Sequence, residues 1–347
     1  MITFVIPTLN RAENLRICVE SIAQQNPHKI VISDNNSSDG TAAVARELRE
    51  KYPFVVYCKR ETTGDFPDSF KSAVLNSDSE WTWTFGDDDV LLPGALKFVS
   101  EFIGKSNTEF LHVAEQKRVG NPCVIQGTFL DLCSRYGWLD MTGFISGNVM
   151  KTDRLKEAVN SEFWDVYATS SFPHSLCLLE KFKDSVSALI ECPVIETQSD
   201  KPTEATIKRW SESKTTYRYL LVADGLKTLA DNGMIPLKLN EDFFRYLDSS
   251  VLFRLMHDLV VRSLEGADPP NEEDLQRLVY ITSVIDGPRG VELLAWSQKC
   301  TSLMRENIEV VAKMRSAHFS LVGEASSMAL PSYGVQYIYD KEVSKCH

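Results

Sequence analysis

Between residues 2 and 115 the sequence switches repeatedly between strand-like and helix-like hydrophobic periods, and this alternation constrains the fold more than any other feature. "ITFVIPT" is a short apolar run that reads as a buried strand, and "NRAENLRICVESIAQQ" carries Leu15, Val19 and Ile22 at helical spacing. "KIVISD" reads as a second strand and "TAAVARELREKY" as a second helix. "FVVYCK" follows as a third strand, residues 67–77 as a looser helix, "EWTWTF" as a fourth strand and "PGALKFVSEFI" as a further helix. The boundaries carry their own signals. Asn10 with Glu13 suggests an Asn variant of the capping box, Asp39 or Ser38 suits the start of the second helix, and Pro93 suits the first position of the last. Strands joined by helices at this spacing predict a mainly parallel sheet covered by helices on both faces. Ligands of such sheets bind at the C-terminal strand ends. Asp34 and the run Asp87, Asp88 and Asp89 stand at those ends.

The alternation then stops. Residues 108–150 read as short strands, "EFLHVAEQ", "CVIQG" and "GFISGNVM", with a helix near 129–136. Beyond residue 203 long amphipathic helical patterns take over, as in the stripe Phe244, Leu247, Val251 and Leu255. A chain of 347 residues is long enough for two domains. The expectation is an α/β domain over residues 1–200 and an all-helical extension over 201–347.

Charge and cysteine usage narrow the function classes. With 37 Lys and Arg against 48 Asp and Glu, the formal net charge is −11, the wrong balance for a protein that neutralises nucleic-acid phosphates. The eight cysteines form no C-x-x-C pair, which argues against a zinc site or a thioredoxin-like motif and for free thiols in a reducing compartment. No signal-peptide pattern opens the sequence, and no apolar run approaches the roughly 18 residues of a membrane span. The expectation is a cytoplasmic protein, with contact to the inner membrane surface left open.

Three consecutive carboxylates after "TWTF" need an explanation, because like charges this close repel. A helix dipole or an acid-rich surface loop is the bland one. A cap needs one acid rather than three, however, and the aromatic run before them is too apolar for an exposed loop. Clustered carboxylates become stable when they share a divalent cation, and Mg²⁺ or Mn²⁺ is commonly held by one or two carboxylates together with substrate phosphates. Asp34 suits hydrogen bonds from a ribose or base edge, or it closes an Asx-type turn.

"FVIPTLNRAENL", "IVISDNNSSDGTAAV" and "FGDDDVLLPGAL", in this order, resemble the family 2 glycosyltransferases of the GT-A fold. The last motif is most similar to that of bacterial abequosyltransferase-type enzymes of O-antigen and surface-glycan synthesis. The resemblance is close over about residues 1–115 and loose over 115–185. It implies a metal-dependent inverting glycosyltransferase that moves a sugar from a nucleotide-sugar donor to a glycan or lipid-linked acceptor. Carried over, Pro7, Thr8 and Arg11 line the nucleotide pocket, and Asp34 contacts base or ribose. Asp87 and Asp88 fill the ribose and metal motif, with Asp88 as ligand to Mn²⁺ or Mg²⁺. Asp89 stands beside the sugar or supports the metal shell, and Gly64 and Asp65 belong to a loop passing the donor.

The sequence departs from the family at the catalytic base. Where members carry an acid, often in a Glu-Asp pair, downstream of the segment resembling "ISGNVMKTDRL", this chain has "SEFWDVYATSSFPHSLCLLEKF". His174 falls nearest by position, followed by Asp165, with Glu162 upstream. The alternatives are a helix-start or core histidine and an ordinary loop acid. Trp138, Trp164 and Tyr167 are read as a sugar-stacking platform or as core, and Trp81, Trp83, Phe243 and Phe244 as core. "KRW" at 208–210 and the basic residues of the last helices suit anionic lipid, a lipid diphosphate or a solvated helix face. The extension serves acceptor binding, dimerisation or membrane contact. Competing readings are a transferase with a protein, small-molecule or modified-nucleobase acceptor, and a non-catalytic nucleotide-sugar-binding protein. A sugar nucleotidyltransferase or a dinucleotide oxidoreductase lacks its Gly-rich loop here.

Overall fold

The computed structural model describes residues 1–115, 123–170, 172–198 and 215–236. Residue contacts divide the chain into two compact units, Met1–Thr203 and Glu204–His347. In the first unit, β1 (Ile2–Thr8), β2 (Lys29–Asp34), β3 (Val55–Lys59) and β4 (Trp81–Thr84) alternate with α1 (Ala12–Ala23), α2 (Thr41–Lys51) and α3 (Phe66–Leu75). These four strands pair in parallel in the order β3-β2-β1-β4. Every residue of β1 is buried, as a central strand covered on both faces requires.

The rest of the sheet is mixed. After β4 come β5 (Asp89–Leu91), α4 (Ala95–Lys105), β6 (Phe110–Glu115) and β7 (Val124–Thr128). Then follow α5 (Phe129–Tyr136), α6 (Trp138–Thr142), a 3-10 turn at Ile145–Gly147, β8 (Asn148–Lys151), α7 (Thr152–Val159), α8 (Glu162–Tyr167), α9 (Pro173–Phe182) and β9 (Val186–Thr197). The sheet continues from β4 through β8, β6 and β9 to β5, with β7 also on β9. The β4–β8, β8–β6, β7–β9 and β5–β9 pairs are antiparallel, while β6–β9 is parallel. The expectation of a mainly parallel sheet therefore holds for the first four strands, and the remainder gives a mixed sheet.

β9 ties this second half together. Its first half pairs with both β6 and β7, its last residues with β5, and the register to β6 slips where Ile190 gives way to Ile195. Pro193, which has no N–H to donate, lies in that slip.

Alternate residues of each strand face opposite helical layers. Ile2, Phe4 and Ile6 of β1 pack with Leu15, Val19 and Ile22 of α1, Leu48 of α2 and Val99 of α4 in one core. Phe4 stacks on Trp83 at 4.9 Å between ring centroids, with Phe85 edge-on to both. On the other side Phe110, Phe129 and Phe182 form a second aromatic cluster joining β6 to α5 and α9. Trp81 and Trp83 are core, as expected. Trp138, Trp164 and Tyr167 are core too, 1%, 2% and 6% exposed, so none is available as a stacking platform for a sugar. Their aromatic faces are spent on packing, as in the Phe70–Trp164 stack.

Two helix starts differ from expectation. α4 begins at Ala95, because Gly94 takes φ +83° and leaves Pro93 in the preceding turn. The capping box proposed for α1 does not form either, since the N-cap is Arg11 and no side chain caps it.

Of the second unit, a helix over Thr215–Asp231 is described. The stripe Phe244 to Leu255, Phe243 and the segment 208–210 lie outside the described residues. Among the described residues no helix is long and apolar enough to cross a membrane.

Candidate active site

Register brings the functional loops to one edge of the sheet. Thr8, last in β1, stands opposite Asp34, last in β2. β4 runs beside β1 with Val5 opposite Thr84, and the Phe85 N–H donates to the Val5 carbonyl at 3.0 Å. The loops after β1 and β2 are then laced together. Asn10 sits at φ +55°, a conformation that short polar residues tolerate, and this turns it towards the neighbouring loop. Its N–H donates to Ser37 Oγ at 2.9 Å, and its Oδ1 accepts from the Ser38 N–H at 2.8 Å. That is why Asn10 does not cap α1. The Arg11 N–H donates to Thr41 Oγ1 at 2.9 Å, and Asp39 Oδ1 accepts from the Thr41 N–H at 2.8 Å as α2 begins. Asn35 extends the lacing to the loop before α3: its amide donates to the Gly64 carbonyl at 2.6 Å and accepts from the Gly64 N–H at 3.0 Å. A Cβ at Gly64 would lie 2.2 Å from Asp68 Oδ2, so a larger residue there would displace the half-exposed Asp68 side chain.

The three acids occupy three different environments. Asp87 is buried, accepts from Thr8 Oγ1 at 2.7 Å and has its Oδ1 3.6 Å from Arg11 Nη1. Burial pushes its pKa up to about 7, against the opposing pull of Arg11. Asp88 points outward, its side chain 37% exposed, and pairs with Arg11 at 2.5 Å between Oδ2 and Nη1. Asp89 is buried at the start of β5 and accepts from Ser146 Oγ. Gly86 makes this spread possible. A Cβ there would lie 2.9 Å from Asp89 Oδ2 and 3.0 Å from Asp88 Oδ1, so glycine lets the two carboxylates approach a common point.

Sequence reasoning missed Ser146. Its hydroxyl donates to Asp89 and accepts from the Gly86 N–H at 2.7 Å, gripping both ends of the acid loop. The turn that carries it is fixed from behind. Trp83 Nε1 donates to the Ser146 carbonyl at 2.7 Å, and Thr84 Oγ1 donates to the Ile145 carbonyl at 2.6 Å. Gly147 lies against His112, whose Nδ1 is 2.9 Å from Asn148 Oδ1. The only cue in the sequence was the small, polar "SGN" ahead of a strand, which gives no hint of a partner 57 residues away.

The remaining expected residues fall as follows. Asp34 is fully buried, with Oδ1 accepting from the Ser37 N–H, three residues on, at 2.8 Å and Oδ2 accepting from Tyr57 Oη at 2.7 Å. Burial and that hydrogen bond raise the Tyr57 pKa well above its ordinary value. Pro7 is buried in β1 opposite Ser33. Asp65 stands immediately before α3, its carbonyl accepting from the Asp68 N–H. His174 is buried on α9 among Phe66, Phe70 and Phe172, and burial pushes its pKa down to about 4. Asp165 lies on the surface of α8, 3.4 Å from Lys71 Nζ. The structure thus joins Thr8, Arg11, Asp87 and Asp88 by direct contact. His174 sits in an aromatic enclosure and Asp165 at a surface ion pair.

Residues 3–120 match the profile of Glycosyl transferase family 2. Over this third of the chain the sequence is similar to the family 2 glycosyltransferases. Over 208 residues the chain is 25% identical to abequosyltransferase RfbV of Salmonella typhimurium, covering 52% of this chain and 61% of that one. It is 31% identical over 174 residues to a GalNAc(5)-diNAcBac-PP-undecaprenol beta-1,3-glucosyltransferase of Campylobacter jejuni, covering 49% and 52%. The chain thus spans between half and two thirds of the length of these curated relatives. Among solved structures, S. aureus TarS 1-349 in complex with UDP-GlcNAc superposes with a TM-score of 0.51 at 13% identity, covering 91% of this chain and 92% of that one. At that identity the likeness is one of fold, of the GT-A type.

Proposed function

We propose that the protein is a metal-dependent inverting glycosyltransferase of bacterial surface-glycan synthesis, moving a sugar from a nucleotide-sugar donor to a hydroxyl of a glycan or lipid-linked acceptor at the inner face of the membrane. The observation that carries this reading is the junction of Thr8, Arg11, Asp87 and Asp88, which places one cationic and two acidic side chains at the C-terminal ends of β1 and β4. The name of one relative, a GalNAc(5)-diNAcBac-PP-undecaprenol beta-1,3-glucosyltransferase, supports a lipid-linked glycan as the acceptor.

The residues present suit a hard divalent cation such as Mn²⁺ or Mg²⁺. Asp88 Oδ1 and Asp89 Oδ2 both lie within 3.0 Å of where a Cβ on Gly86 would stand, so two carboxylate oxygens flank the same glycine. Among the described residues no three His, Cys, Asp or Glu side chains gather as a complete metal cage. That matches a cation held by one or two carboxylates and completed by substrate phosphates and water. When bound, the cation supplies Lewis-acid stabilisation of the negative charge that builds on the leaving diphosphate.

The chain's own residues do the rest. Asp88 presents a carboxylate to solvent, Asp89 is oriented by Ser146, and Asp87 is held by Thr8 facing the donor. The loop carrying Gly64 and Asp65 is fastened by Asn35 beside the same edge. Asp34 organises the loop after β2 through Ser37 and Tyr57, and in this reading the loop rather than a free carboxylate edge meets the nucleoside. Inversion also needs a base for the acceptor proton. Of the two candidates Asp165 keeps the solvent access that a base requires, and the enclosure of His174 suits packing.

A thermal-shift screen of UDP-, GDP-, CDP- and dTDP-sugars with and without Mn²⁺ tests the reading, since a ligand of the native state raises the melting temperature by mass action. One nucleotide class is expected to stabilise the protein only with metal, and Asp88→Ala should abolish the shift. Absence of any shift, or one indifferent to the substitution, would sink the assignment.

A further inference from the structure

The acid cluster already contains a cation, and it belongs to the chain. Arg11 Nη1 lies 2.5 Å from Asp88 Oδ2 and 3.6 Å from Asp87 Oδ1, so a single nitrogen spans the two carboxylates. A divalent ion drawn to Asp88 meets this charge first, because the two cations compete for one carboxylate and repel each other at contact distance. The pair is not sealed: the Arg11 and Asp88 side chains are 28% and 37% exposed, and ion pairs in such settings are weak enough to exchange partners. The backbone under Arg11 is fixed by its hydrogen bond to Thr41, so the guanidinium moves about a stationary base.

We infer that Arg11 is a displaceable placeholder for the metal: it holds Asp88 while the site is empty, opposes bare divalent ions, and moves to the diphosphate when metal and diphosphate arrive together. The inference rests on the metal reading of Asp88 proposed above. A bare ion must dislodge the guanidinium and leave it facing another cation. An ion accompanied by a diphosphate brings anionic oxygens that a guanidinium grips in bidentate fashion, so the lost carboxylate is replaced. Metal and diphosphate then bind with positive coupling, which by linkage is felt equally by both. The consequence is a site that ignores free cytosolic cations and fills only with a charged donor.

The test compares wild type, Arg11→Gln and Asp88→Asn, each checked for a native melting transition. Affinity for Mn²⁺ alone is read by the electron paramagnetic resonance of the free ion, and affinity for magnesium pyrophosphate by calorimetry. Arg11→Gln should bind bare Mn²⁺ more tightly, by about fivefold, and magnesium pyrophosphate more weakly, by about tenfold, while Asp88→Asn loses Mn²⁺. Opposite signs in one variant are the signature, because general damage to a pocket lowers both affinities. If Asp88→Asn abolishes Mn²⁺ binding but Arg11→Gln leaves it equal or weaker, or leaves pyrophosphate binding undiminished, the placeholder role is overturned and the metal reading stands. If neither wild type nor Arg11→Gln binds Mn²⁺, with or without pyrophosphate, both fall together.

Discussion

The two halves of the sheet reach order by different routes. In β3, β2, β1 and β4 the strands are parallel and joined by helices, so their loops emerge along one edge and can be laced by Asn10, Thr41 and Asn35. In β8, β6, β9, β7 and β5 the strands run both ways and partners lie far apart, as when Asp89 pairs with Thr197. The first half contributes chemistry and the second contributes constraint. The acid run lies on the seam: Asp87 is bonded to Thr8 from the first half, Asp89 to Ser146 from the second, and Asp88 between them faces solvent.

Substitutions along the seam separate those roles. The largest effect is expected at Asp88. Asp88→Ala should lower the transfer rate by about 10²–10³-fold, measured as nucleotide released from the donor, while its partly exposed position leaves the melting temperature nearly unchanged. Ser146→Ala should do the reverse in kind. It leaves the Gly86 N–H and the Asp89 carboxylate short of a buried partner, at a cost of about 2–3 kcal/mol in urea unfolding.

Two titrating groups, one from each half, should pull the stability profile in opposite directions. Asp87 has a raised pKa of about 7, so the native state holds a proton that the unfolded chain has released. Its contribution is fully present below the ordinary carboxylate pKa and is lost as pH rises through about 7. Asp87→Asn should therefore be more stable than wild type at pH 8, by about 1–2 kcal/mol, and nearly equal to it at pH 4. His174 has a lowered pKa of about 4, so the native state refuses a proton that the unfolded chain accepts. Its contribution is present above the ordinary histidine pKa and is lost as pH falls towards 4. His174→Phe, which continues the surrounding aromatic packing, should flatten that acid limb by about 1 kcal/mol and preserve transfer activity. In wild type the two slopes offset one another between about pH 4 and 6.5, so thermal melts across pH should reveal each only in the variant lacking the other.

The same division decides what could be read from the sequence. The period changes from "ITFVIPT" to "NRAENLRICVESIAQQ" are local, so β1 to β4 and their helices were legible, and with them the clustering of Thr8, Arg11, Asp34 and the acids at one edge. β5 is only three residues long, and β9 is interrupted by Pro193 at its register slip, so neither carries a periodic signal long enough to read. Asn10 has the composition of an N-cap, and only the neighbouring Ser37 and Ser38 decide that it bridges loops instead. The separate fates of three adjacent aspartates were not legible either, because burial at Asp87, exposure at Asp88 and the Ser146 bond at Asp89 are set by residues 57 to 79 positions away. His174 and Trp138 show the limit from the other side. A residue type suited to catalysis or stacking says nothing about whether its face is already spent on packing.

β9 has a consequence for the order in which this molecule can be made. On a ribosome, the strand holding Asp89 is finished about a hundred residues before its partner at Ile195–Thr197 emerges. A nascent chain, or a fragment cut at the end of the family segment near residue 120, has β1 to β4 but lacks β8, and leaves the edge of β4 open. Such a fragment contains Asp34 and the run Asp87 to Asp89 and should still fail to bind a donor, because β8 and β9, which position that run, are translated later.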